Sequence, residues 1–341
     1  MRVLVSGHHG YIGSVLMPLL AKAGHEAVGL DCFYFDGCTL GRAESGFPCL
    51  RKDLRDTQPR DLDGFDALIH LAALSNDPLG DLKGDWTYDI NHLGSLRLAQ
   101  LAKQAGVRRF LFSSSCSMYG ANANDDLLTE IAPLNPLTAY AISKVRLETD
   151  LAKLADDKFS PVYLRNSTAY GVSPRLRLDL VLNNLVAWAF TTGKVKIMSD
   201  GTPWRPIVHI EDISRAFIAL MEAPRELVHN QAFNIGRNDE NYQVRDLAGF
   251  VKETVPGCEI EYAGKGGADP RNYRVDFTKL ARTFPNLKLQ WTARRGAQEL
   301  YEAYKTAGLT ADELQGRRFI RLNQLKHLIA EGRLDETLRW K

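Results

Sequence analysis

The sequence lacks the features that mark secreted, membrane-spanning and nucleic-acid-binding proteins. Its five cysteines are odd in number and show no CxxC spacing, which argues against a disulfide framework and favours a reducing compartment. No uninterrupted apolar run approaches the roughly 20 residues that span a bilayer, and no charged leader precedes the first apolar stretch. Forty-three basic residues against 41 acidic ones leave a net charge of +2, so no global field favours nucleic acid or an anionic membrane. We expect a soluble, cytoplasmic protein without such partners.

What the sequence does contain is the pattern of an α/β protein. The hydrophobic content of 45% can fill a sizeable core, and 341 residues suffice for two domains or for one domain with a smaller lobe. Apolar runs typical of buried strands alternate with segments of helical periodicity, which predicts a Rossmann-like, doubly wound parallel sheet. We expect this domain over residues 1–171, with a strand and a helix added from 205–235. A smaller substrate-binding lobe is expected at 172–308 and a helical extension at 309–341.

The segment from 2 to 31 organises the rest of the chain. A short β-branched run leads into three glycines and an apolar-periodic helix. Gly7 permits a tight turn, Gly10 lets the backbone approach a pyrophosphate, and Gly13 lets helix and strand pack closely. Asp31 ends the second strand, near the offset expected for the carboxylate that binds the ribose hydroxyls. Because a carboxylate repels a 2′-phosphate, the segment predicts NAD rather than NADP as cofactor.

Two further segments fit the same cofactor. A predicted strand at 49–51 is followed by Asp53 and Leu54, whose side chains suit the edge and face of an adenine. A helix N-cap at Asp53 is an equally good interpretation of that position. The apolar run 65–74 is typical of a central parallel strand, and its small residues Ala72 and Ala73 leave room for a cofactor at the strand's carboxyl end.

A pair of residues suited to proton transfer occurs farther along the chain. Tyr140 and Lys144 are four apart on a predicted helix over 135–155, which has Pro136 near its start, so they share one face. A neighbouring ammonium favours the phenolate and lowers the pKa of a tyrosine, which makes the phenol a usable base. Ser115 lies at the end of the predicted strand that precedes this helix. Its hydroxyl can hydrogen-bond the substrate oxygen from which Tyr140 would take a proton. Beside a dinucleotide, this set predicts removal of a proton from a sugar hydroxyl while hydride leaves its carbon.

At these residues the chain resembles the extended short-chain dehydrogenase/reductase family. Within that family it is similar to the nucleotide-sugar epimerases and dehydratases, of the UDP-glucose 4-epimerase type. The resemblance covers about residues 1 to 305. It rests on matches in the family's order: Gly7, Gly10 and Gly13 with Asp31; His70-Leu71-Ala72-Ala73; Asn91; Ser113-Ser114-Ser115 followed by Tyr119-Gly120; Tyr140 with Lys144; and Arg205 to Asp212.

The resemblance implies a role for each of these residues. Tyr140 is expected to be the catalytic base, and Lys144 to hold the nicotinamide ribose and tune the base. Ser115 is expected to share the substrate hydroxyl, and Asn91 to support the site. Contacts to NAD are expected from Gly7, Gly10, Tyr11, Ile12, Gly13, Asp31, Asp53, Leu54, Leu71, Ala72, Ala73, Ser113, Tyr140 and Lys144. Contacts to a nucleotide-diphosphate sugar are expected from Ser75, Ser117, Thr168, Asn183, Asn184, Arg205 and Arg271. The family also implies a homodimer formed through the helices at 86–105 and 138–155.

Two positions help to choose among the reactions of this family. Similar 4,6-dehydratases carry an Asp-Glu pair just after the catalytic hydroxyl and similar decarboxylases use a Glu there, whereas this chain has Cys116 and Ser117. The sequence therefore predicts an epimerase, most plausibly acting at carbon 4 of a hexose, because epimerisation needs only reversible oxidation at one carbon. A nucleotide-sugar 4-dehydrogenase or 4-ketoreductase is the nearest alternative, since it uses the same Tyr140 and Ser115. A sugar dehydratase and a non-catalytic dinucleotide sensor are disfavoured.

The second half of the chain supplies groups for a diphosphate. Guanidinium groups are planar and permanently charged, which suits them to that ligand. The candidates are Arg175, Arg177, Arg205, Arg271 and Arg274. Of these, Arg205 and Arg271 occur within family motifs. One position departs from the family: Thr168 replaces the usual Asn, and Asn166 lies two residues earlier on the same predicted strand, 161–171.

The remaining reactive side chains have structural interpretations. Cys116 is expected to be a packing residue because no His partner is apparent nearby. His209 is expected to pack beside a strand, and with His70 it gives no spacing for a metal site. In the extension, Phe319, Leu322, Leu325, Leu328 and Ile329 predict an amphipathic helix that Gly332 ends. Its basic residues, Arg317, Arg318, Arg321 and Lys326, are expected on a solvated face while the helix packs on the lobe or on a dimer partner.

Overall fold

Seven parallel strands form the central sheet of the computed structural model, which describes residues 1–41, 46–75, 83–121, 126–262 and 271–341. The strands are β1 (Arg2–Ser6), β2 (Glu26–Asp31), β3 (Cys49–Arg51), β4 (Ala67–His70), β5 (Arg109–Ser115), β7 (Ser160–Asn166) and β11 (Gln231–Ile235). Their order across the sheet is β11-β7-β5-β4-β1-β2-β3. The order reverses at β1, so the carboxyl ends of β1 and β4 flank the crevice where such sheets bind ligands.

Helices cover both faces of this sheet, as the alternating sequence pattern predicts. The helices are α1 (Gly13–Lys22), α2 (Gly84–Thr87), α3 (Ser95–Gln104), α4 (Ala139–Leu154), α5 (Val181–Thr192), α6 (Ile210–Glu222), α7 (Arg225–Val228), α8 (Val244–Thr254), α9 (Thr278–Thr283), α10 (Ala293–Ala307) and α11 (Arg321–Ala330). Leu16 of α1 and Phe217 of α6 pack in the apolar cluster on one face. Leu98 of α3 and Leu147 of α4 pack in the cluster on the other face.

Two predicted helices have different bounds in the structure. The segment predicted as one helix over 86–105 contains a π-helical stretch, Tyr88–Gly94, between α2 and α3. Such stretches occur frequently at functional sites, and Asn91 lies in this one. The helix predicted from 135 begins only at Ala139, because the Thr138 side chain accepts a hydrogen bond from Ala141 N at 3.2 Å and caps it. Pro136 therefore lies in the loop before α4, not in the helix.

The chain leaves the central sheet after Asn166, which corrects the single strand predicted over 161–171. The next strand, β8 (Thr168–Tyr170), pairs with β10 (Trp204–His209) in a separate sheet whose order is β12-β10-β8, where β12 is Asn241–Gln243. Thr168 and Asn166 consequently lie on strands of different sheets. The strand added to the central sheet is β11, while β10 belongs to the smaller sheet and α6 packs on the central one.

The second half of the chain has an apolar core of its own. Residues of α5, α8 and α10 form most of it, including Leu182, Leu247 and Leu300. One further pair of parallel strands lies in this part of the chain, β13 (Glu259–Tyr262) with β9 (Lys194–Ile197). Another strand, β14 (Arg274–Val275), pairs in parallel with β6 (Leu127–Leu128) from the first half of the chain.

The C-terminal extension contacts both halves of the molecule. Phe319 lies before α11 rather than in it, and packs into the lobe core. The helix residues Leu325 and Leu328 pack instead beside the ends of the central strands, against Tyr34 and others. The expected solvated face is wrong for Arg321, which is 2% exposed, whereas Lys326 is exposed as expected. Gly332, at φ 65°, follows the helix as predicted.

Three further observations concern membrane-spanning helices, cysteines and metal ligands in the described ranges. No helix there is long and apolar enough to cross a membrane. All five cysteines are free thiols. Among the same residues, no group of His, Cys, Asp and Glu side chains is arranged to hold a metal ion.

Candidate active site

A cavity of about 730 Å³ opens at the carboxyl ends of the central strands, against the lobe. Many of the predicted site residues line it. On the sheet side these are Ile12, Leu71, Ala73, Ser75, Ser113, Ser115, Ser117, Tyr140 and Lys144, and on the lobe side Thr168, Asn184, Arg205 and Arg271. The structure therefore brings most of the predicted catalytic and substrate residues to one place. Residues 76–82 and 122–125 lie outside the described residues.

The first turns of α4 bring the predicted base and its lysine to the cavity. Lys144 Nζ lies 5.4 Å from the centre of the Tyr140 ring and 4.7 Å from that of Phe112. It donates a hydrogen bond to the Ser113 carbonyl at 2.7 Å, which fixes it beneath the end of β5. Burial lowers the pKa of Lys144 to about 7, and the nearby Glu148 carboxylate opposes that shift.

The predicted catalytic serine lies where β5 ends. Ser115 caps the short 3₁₀ turn Cys116–Tyr119, accepting a hydrogen bond from Ser117 N at 3.1 Å. Its hydroxyl also donates to Ser117 Oγ at 2.9 Å. Both hydroxyls line the cavity, so a substrate oxygen can meet two polar groups at this strand end.

Asn91 supports the site from behind rather than lining the cavity. Its Oδ1 accepts a hydrogen bond from Leu74 N at 2.8 Å, and its Nδ2 donates to the Leu74 carbonyl at 3.0 Å and to Ser143 Oγ at 3.5 Å. The buried amide thus joins the π-helical stretch to the segment after β4 and to α4. This arrangement agrees with the supporting role that the sequence predicts.

The glycine turn has the shape that a dinucleotide needs. A Cβ on Gly7, which has φ 77°, would lie 2.7 Å from Ala72 N, and one on Gly13 would lie 2.4 Å from the Gly7 carbonyl. Side chains are therefore excluded where the turn approaches β4 and α1. At Gly10 a Cβ would meet only the Gly7 carbonyl, at 3.1 Å. The residues present leave a backbone cradle at the N-terminus of α1, which fits a pyrophosphate.

Asp31 lies beside this cradle with capacity to bind a diol. Its two carboxylate oxygens accept one backbone hydrogen bond each, from His9 N at 3.1 Å and from Phe33 N at 2.8 Å. A carboxylate has about four acceptor sites, so two remain for ribose hydroxyls. Burial raises the pKa of Asp31, and these hydrogen bonds and the neighbouring His8 oppose the rise.

In the structure, Asp53 caps a short helical turn, in agreement with the second interpretation of this position. Asp53 accepts hydrogen bonds from Arg55 N at 2.9 Å and from the Arg55 guanidinium at 2.9 Å and 2.6 Å. Both of its oxygens are thereby engaged in the 3₁₀ turn Leu54–Asp56. Leu54 is buried against the C-terminal extension. Contacts of Asp53 and Leu54 with an adenine stay a prediction.

Two of the predicted site residues, Asn183 and Tyr11, form buried hydrogen bonds beneath the cavity. Asn183 is fully buried: its Oδ1 accepts from Gly171 N at 3.0 Å, and its Nδ2 donates to Tyr11 Oη at 3.0 Å and to the Arg177 carbonyl at 2.9 Å. With its amide engaged in this way, Asn183 does not line the cavity, which corrects the predicted substrate contact. The hydroxyl of the buried Tyr11 donates a hydrogen bond to the Gly171 carbonyl at 2.7 Å, so the Tyr11 side chain joins the glycine turn to the lobe.

The lobe side of the cavity is cationic. Arg205 Nη1 donates to the Trp204 carbonyl at 2.8 Å and to the Arg271 carbonyl, so the two arginines predicted to bind diphosphate lie together. Arg177 also lines the cavity, and donates to Ser75 Oγ at 3.1 Å. Its charge is matched by Asp179, whose two oxygens each accept from it at 3.0 Å.

A buried network behind the strand ends was missed in the sequence. Arg165 of β7 forms a two-pronged ion pair with Glu148, with the shortest contact at 2.7 Å, and donates to Tyr119 Oη at 3.1 Å. Tyr119 in turn donates to Asn234 Oδ1 at 2.7 Å. The only signal was the position of Glu148, four residues after Lys144 on the same helix face. The network fixes α4 to β7 and to the turn after Ser115.

The structural interpretations of Cys116 and His209 are confirmed. Cys116 is fully buried, donates to the Arg165 carbonyl at 3.1 Å, and has its pKa raised by burial. His209 stacks on Trp291, with ring centres 3.9 Å apart, and hydrogen-bonds Glu299 at 2.9 Å. Neither side chain is placed to act on a ligand in the cavity.

A doubly wound sheet with a glycine cradle, an Asp at the end of its second strand and a Tyr-Lys pair is typical of a dinucleotide-dependent enzyme of oxidoreductase type. Comparison with known proteins places it more closely. The model of the NAD-dependent epimerase/dehydratase family matches residues 3–236. The chain therefore belongs to this family, which lies within the extended short-chain dehydrogenase/reductases, and its cofactor is NAD.

The most similar relatives have more than one activity. The chain is 30% identical to a UDP-glucose 4-epimerase of Lactobacillus helveticus, covering 83% of this chain and 90% of the relative. It is 27% identical to UDP-glucuronic acid decarboxylase 1 of Arabidopsis thaliana, over 93% of this chain and 72% of the relative. Among solved structures, MoeE5 in complex with UDP-glucuronic acid and NAD has a TM-score of 0.78 and 27% identity, covering 90% of this chain and all of that one.

Proposed function

We propose that the protein is a nucleotide-sugar epimerase that acts at carbon 4 of a nucleotide-diphosphate hexose. The choice of epimerisation rather than dehydration or decarboxylation rests on the number of carboxylate side chains that line the cavity. Asp179 is the one carboxylate among its described lining residues, and Arg177 engages both of its oxygens. The turn after Ser115 presents Cys116 and Ser117 instead of acids. The residues present thus suit a reversible oxidation better than an elimination.

In the proposed mechanism, the hydroxyl groups of Tyr140 and Ser115 act on the substrate's 4-hydroxyl. Bound NAD would be held by the glycine turn, Asp31 and Lys144, and it would supply reversible hydride transfer at carbon 4, with return to the opposite face of the sugar. Tyr140 takes the hydroxyl proton and gives it back in the reverse step, and Ser115 donates a hydrogen bond to the same oxygen. The Lys144 ammonium favours the phenolate form of Tyr140 and binds the nicotinamide ribose.

The opposite end of the cavity is proposed to hold the diphosphate. Arg205 and Arg271 supply permanent positive charge there, and Asn184 lies nearby on α5. Ser75, Ser117 and Thr168 also line the cavity, and the sugar is expected beside them. The relatives named above act on UDP-sugars, which makes a UDP-sugar the first substrate to test.

A homodimer and a cytoplasmic location complete the proposal. The dimer is proposed to form through the π-helical stretch with α3 and through α4. Leu93 supports this surface, because it is 56% exposed on the π-helical stretch although it is large and apolar. Light scattering of the purified protein tests the dimer, and replacement of Leu93 by Glu should yield monomers. Unaltered dimers in this variant would contradict the proposed surface.

The function is tested by incubating the purified enzyme, without added cofactor, with UDP-glucose, UDP-galactose and UDP-glucuronic acid in turn. An epimerase converts one of these to its 4-epimer until equilibrium is reached, with no net NADH formed, as NMR and absorbance can follow. In a second incubation with added NAD, accumulation of NADH in proportion to that NAD would show a 4-dehydrogenase instead. A dehydrated or decarboxylated product would overturn the proposed reaction.

A further inference from the structure

The C-terminal extension packs on the loops that surround the predicted adenosine subsite. Asp31 and Asp53 lie at the ends of β2 and β3, next to the loop 32–40 and the turn 54–56. One apolar cluster joins these segments to the extension. It contains Tyr34, Leu54, Leu74 and Ile90 from the cofactor domain and Leu325, Leu328, Leu334 and Leu338 from the extension, all buried. Leu54 thus turns toward the extension.

Polar contacts hold the last residues of the chain to the same loops. Trp340 Nε1 donates to the Cys32 carbonyl at 2.5 Å, and the Tyr34 hydroxyl donates to the Leu338 carbonyl. Arg55, which also holds Asp53, donates to the Thr337 carbonyl at 2.9 Å. Each contact uses a backbone carbonyl, and together they join the extension to the loops after both β2 and β3.

The beginning of the extension is anchored on the lobe side. The Phe319 carbonyl accepts a hydrogen bond from Leu178 N at 3.0 Å, and Arg321 Nη2 donates to the Arg175 carbonyl at 2.8 Å. The extension therefore spans from the lobe, past Arg175, to the end of β2. An opening between the loops and the lobe would have to break contacts at both ends.

Arg321 adds an electrostatic observation. Its Nη1 is buried and has no hydrogen-bond partner within the described residues. Burial and the charges of Arg177 and Arg175 lower the pKa of Arg321 to about 10, while Asp179 opposes the shift. Arg175 itself contacts His9 of the glycine turn. The extension thus adds a buried cation to a group of arginines beside the cradle, which favours an anion bound there.

We propose that residues 309–341 form the outer wall of the adenosine end of the cofactor site and retain NAD through many turnovers. The proposal rests on the cofactor contacts predicted for Asp31 and the glycine turn. It also deepens the proposed function, because an epimerase returns its cofactor to the starting state in each cycle and has no need to exchange it. A net dehydrogenase, by contrast, must release NADH after each turnover.

The test measures exchange of the cofactor, which does not depend on turnover. The protein is loaded with isotopically labelled NAD, an excess of unlabelled NAD is added, and retained label is counted after rapid desalting at successive times. We expect the wild type to exchange slowly and the variants Tyr34→Phe and Trp340→Ala to exchange at least tenfold faster. Tyr34→Phe keeps the ring and removes only the hydroxyl that holds Leu338, so it preserves the packing. Lys326→Ala, at an exposed position of α11, is the matched control and should exchange like the wild type.

Each outcome separates this proposal from the proposed reaction. Wild-type exchange that is complete within the desalting time, or variants that exchange at the wild-type rate, would overturn the retaining wall even if epimerisation is observed. Slow wild-type exchange, accelerated in both variants, would support it even if none of the UDP-sugars is epimerised. Thermal melting of the cofactor-free variants establishes that faster exchange does not come from unfolding.

Discussion

The two ends of the cofactor site are built in opposite ways. At the nicotinamide end, Ser113, Ser115, Tyr140 and Lys144 come from one strand end and one helix, and they face an open cavity. At the predicted adenosine end, Tyr34 and Leu54 are enclosed by residues 325–338, far along the chain. The nicotinamide end depends on short sequence spacings that proton transfer requires. The adenosine end depends on packing between segments that are distant in the sequence. The predicted functions differ accordingly: proton transfer at one end and retention of the cofactor at the other.

The largest effect is expected when the nicotinamide end loses its base. Tyr140→Phe removes the group that takes the proton and should lower turnover by about 10²- to 10⁴-fold. NAD content and exchange should stay as in the wild type, because the adenosine end is untouched. Tyr262→Phe, at an exposed position, is the matched control. Turnover of Tyr140→Phe within a factor of two of the wild type would refute its role as base.

The buried pair behind the nicotinamide end should matter for stability. Glu148→Gln leaves the Arg165 guanidinium buried without its carboxylate, and should lower the free energy of unfolding by about 3–5 kcal/mol. The double variant Glu148→Met with Arg165→Met removes both charges and should be more stable than Glu148→Gln. Denaturant unfolding of the three proteins gives the comparison. Equal stability of the wild type and Glu148→Gln would contradict the importance of this pair.

The adenosine end should respond to a cavity in its apolar wall. Leu328→Ala removes a buried side chain between the extension and the cofactor domain, and should cost about 2–4 kcal/mol of unfolding free energy. It should also speed NAD exchange, whereas turnover with saturating NAD should change little. A fall in turnover at saturating NAD as large as that of Tyr140→Phe would show that the two ends are not separable. Leu227→Ala, at an exposed position of α7, is the control in this assay.

A pH-dependent effect is expected from the buried lysine. Because burial lowers the pKa of Lys144 from 10.5 to about 7, the unfolded chain binds this proton more tightly than the folded chain. The cofactor-free wild type therefore loses stability from this group as pH falls from 10.5 to 7. The variant Lys144→Met does not lose stability in this way. The difference in stability between the variant and the wild type should therefore grow in the variant's favour as pH falls from 10.5 to 7, and stay constant below pH 7. Thermal melting at several pH values measures it, and an advantage that shrinks as pH falls would reverse the assignment.

Much of the catalytic end was accessible from the sequence. Tyr140 and Lys144 at a spacing of four, and serines at a strand end, are local patterns whose geometry follows from one element each. The glycine turn and Asp31 were predictable for the same reason, and β2 ends at Asp31 as expected.

Other features depend on tertiary contacts that no local pattern encodes. The burial of Asn183 depends on Tyr11 and Gly171, which approach it from distant parts of the chain. The division of the 161–171 segment depends on pairing with β10, and the burial of Arg321 on the lobe loop at Arg175. The amphipathic pattern of the extension indicated a helix but could not say which surface it covers.

The contacts that close the adenosine end join residues 304 and 308 positions apart in the chain, Tyr34 with Leu338 and Cys32 with Trp340. During synthesis Cys32 and Tyr34 leave the ribosome about 300 residues before Leu338 and Trp340. The cofactor domain has all its central strands once residue 235 is made, while its adenosine end still lacks the closing segment. Since loop-closure entropy grows only slowly with loop length, the late closure adds little thermodynamic cost. The order of synthesis therefore allows NAD to bind an open site before the chain end closes it.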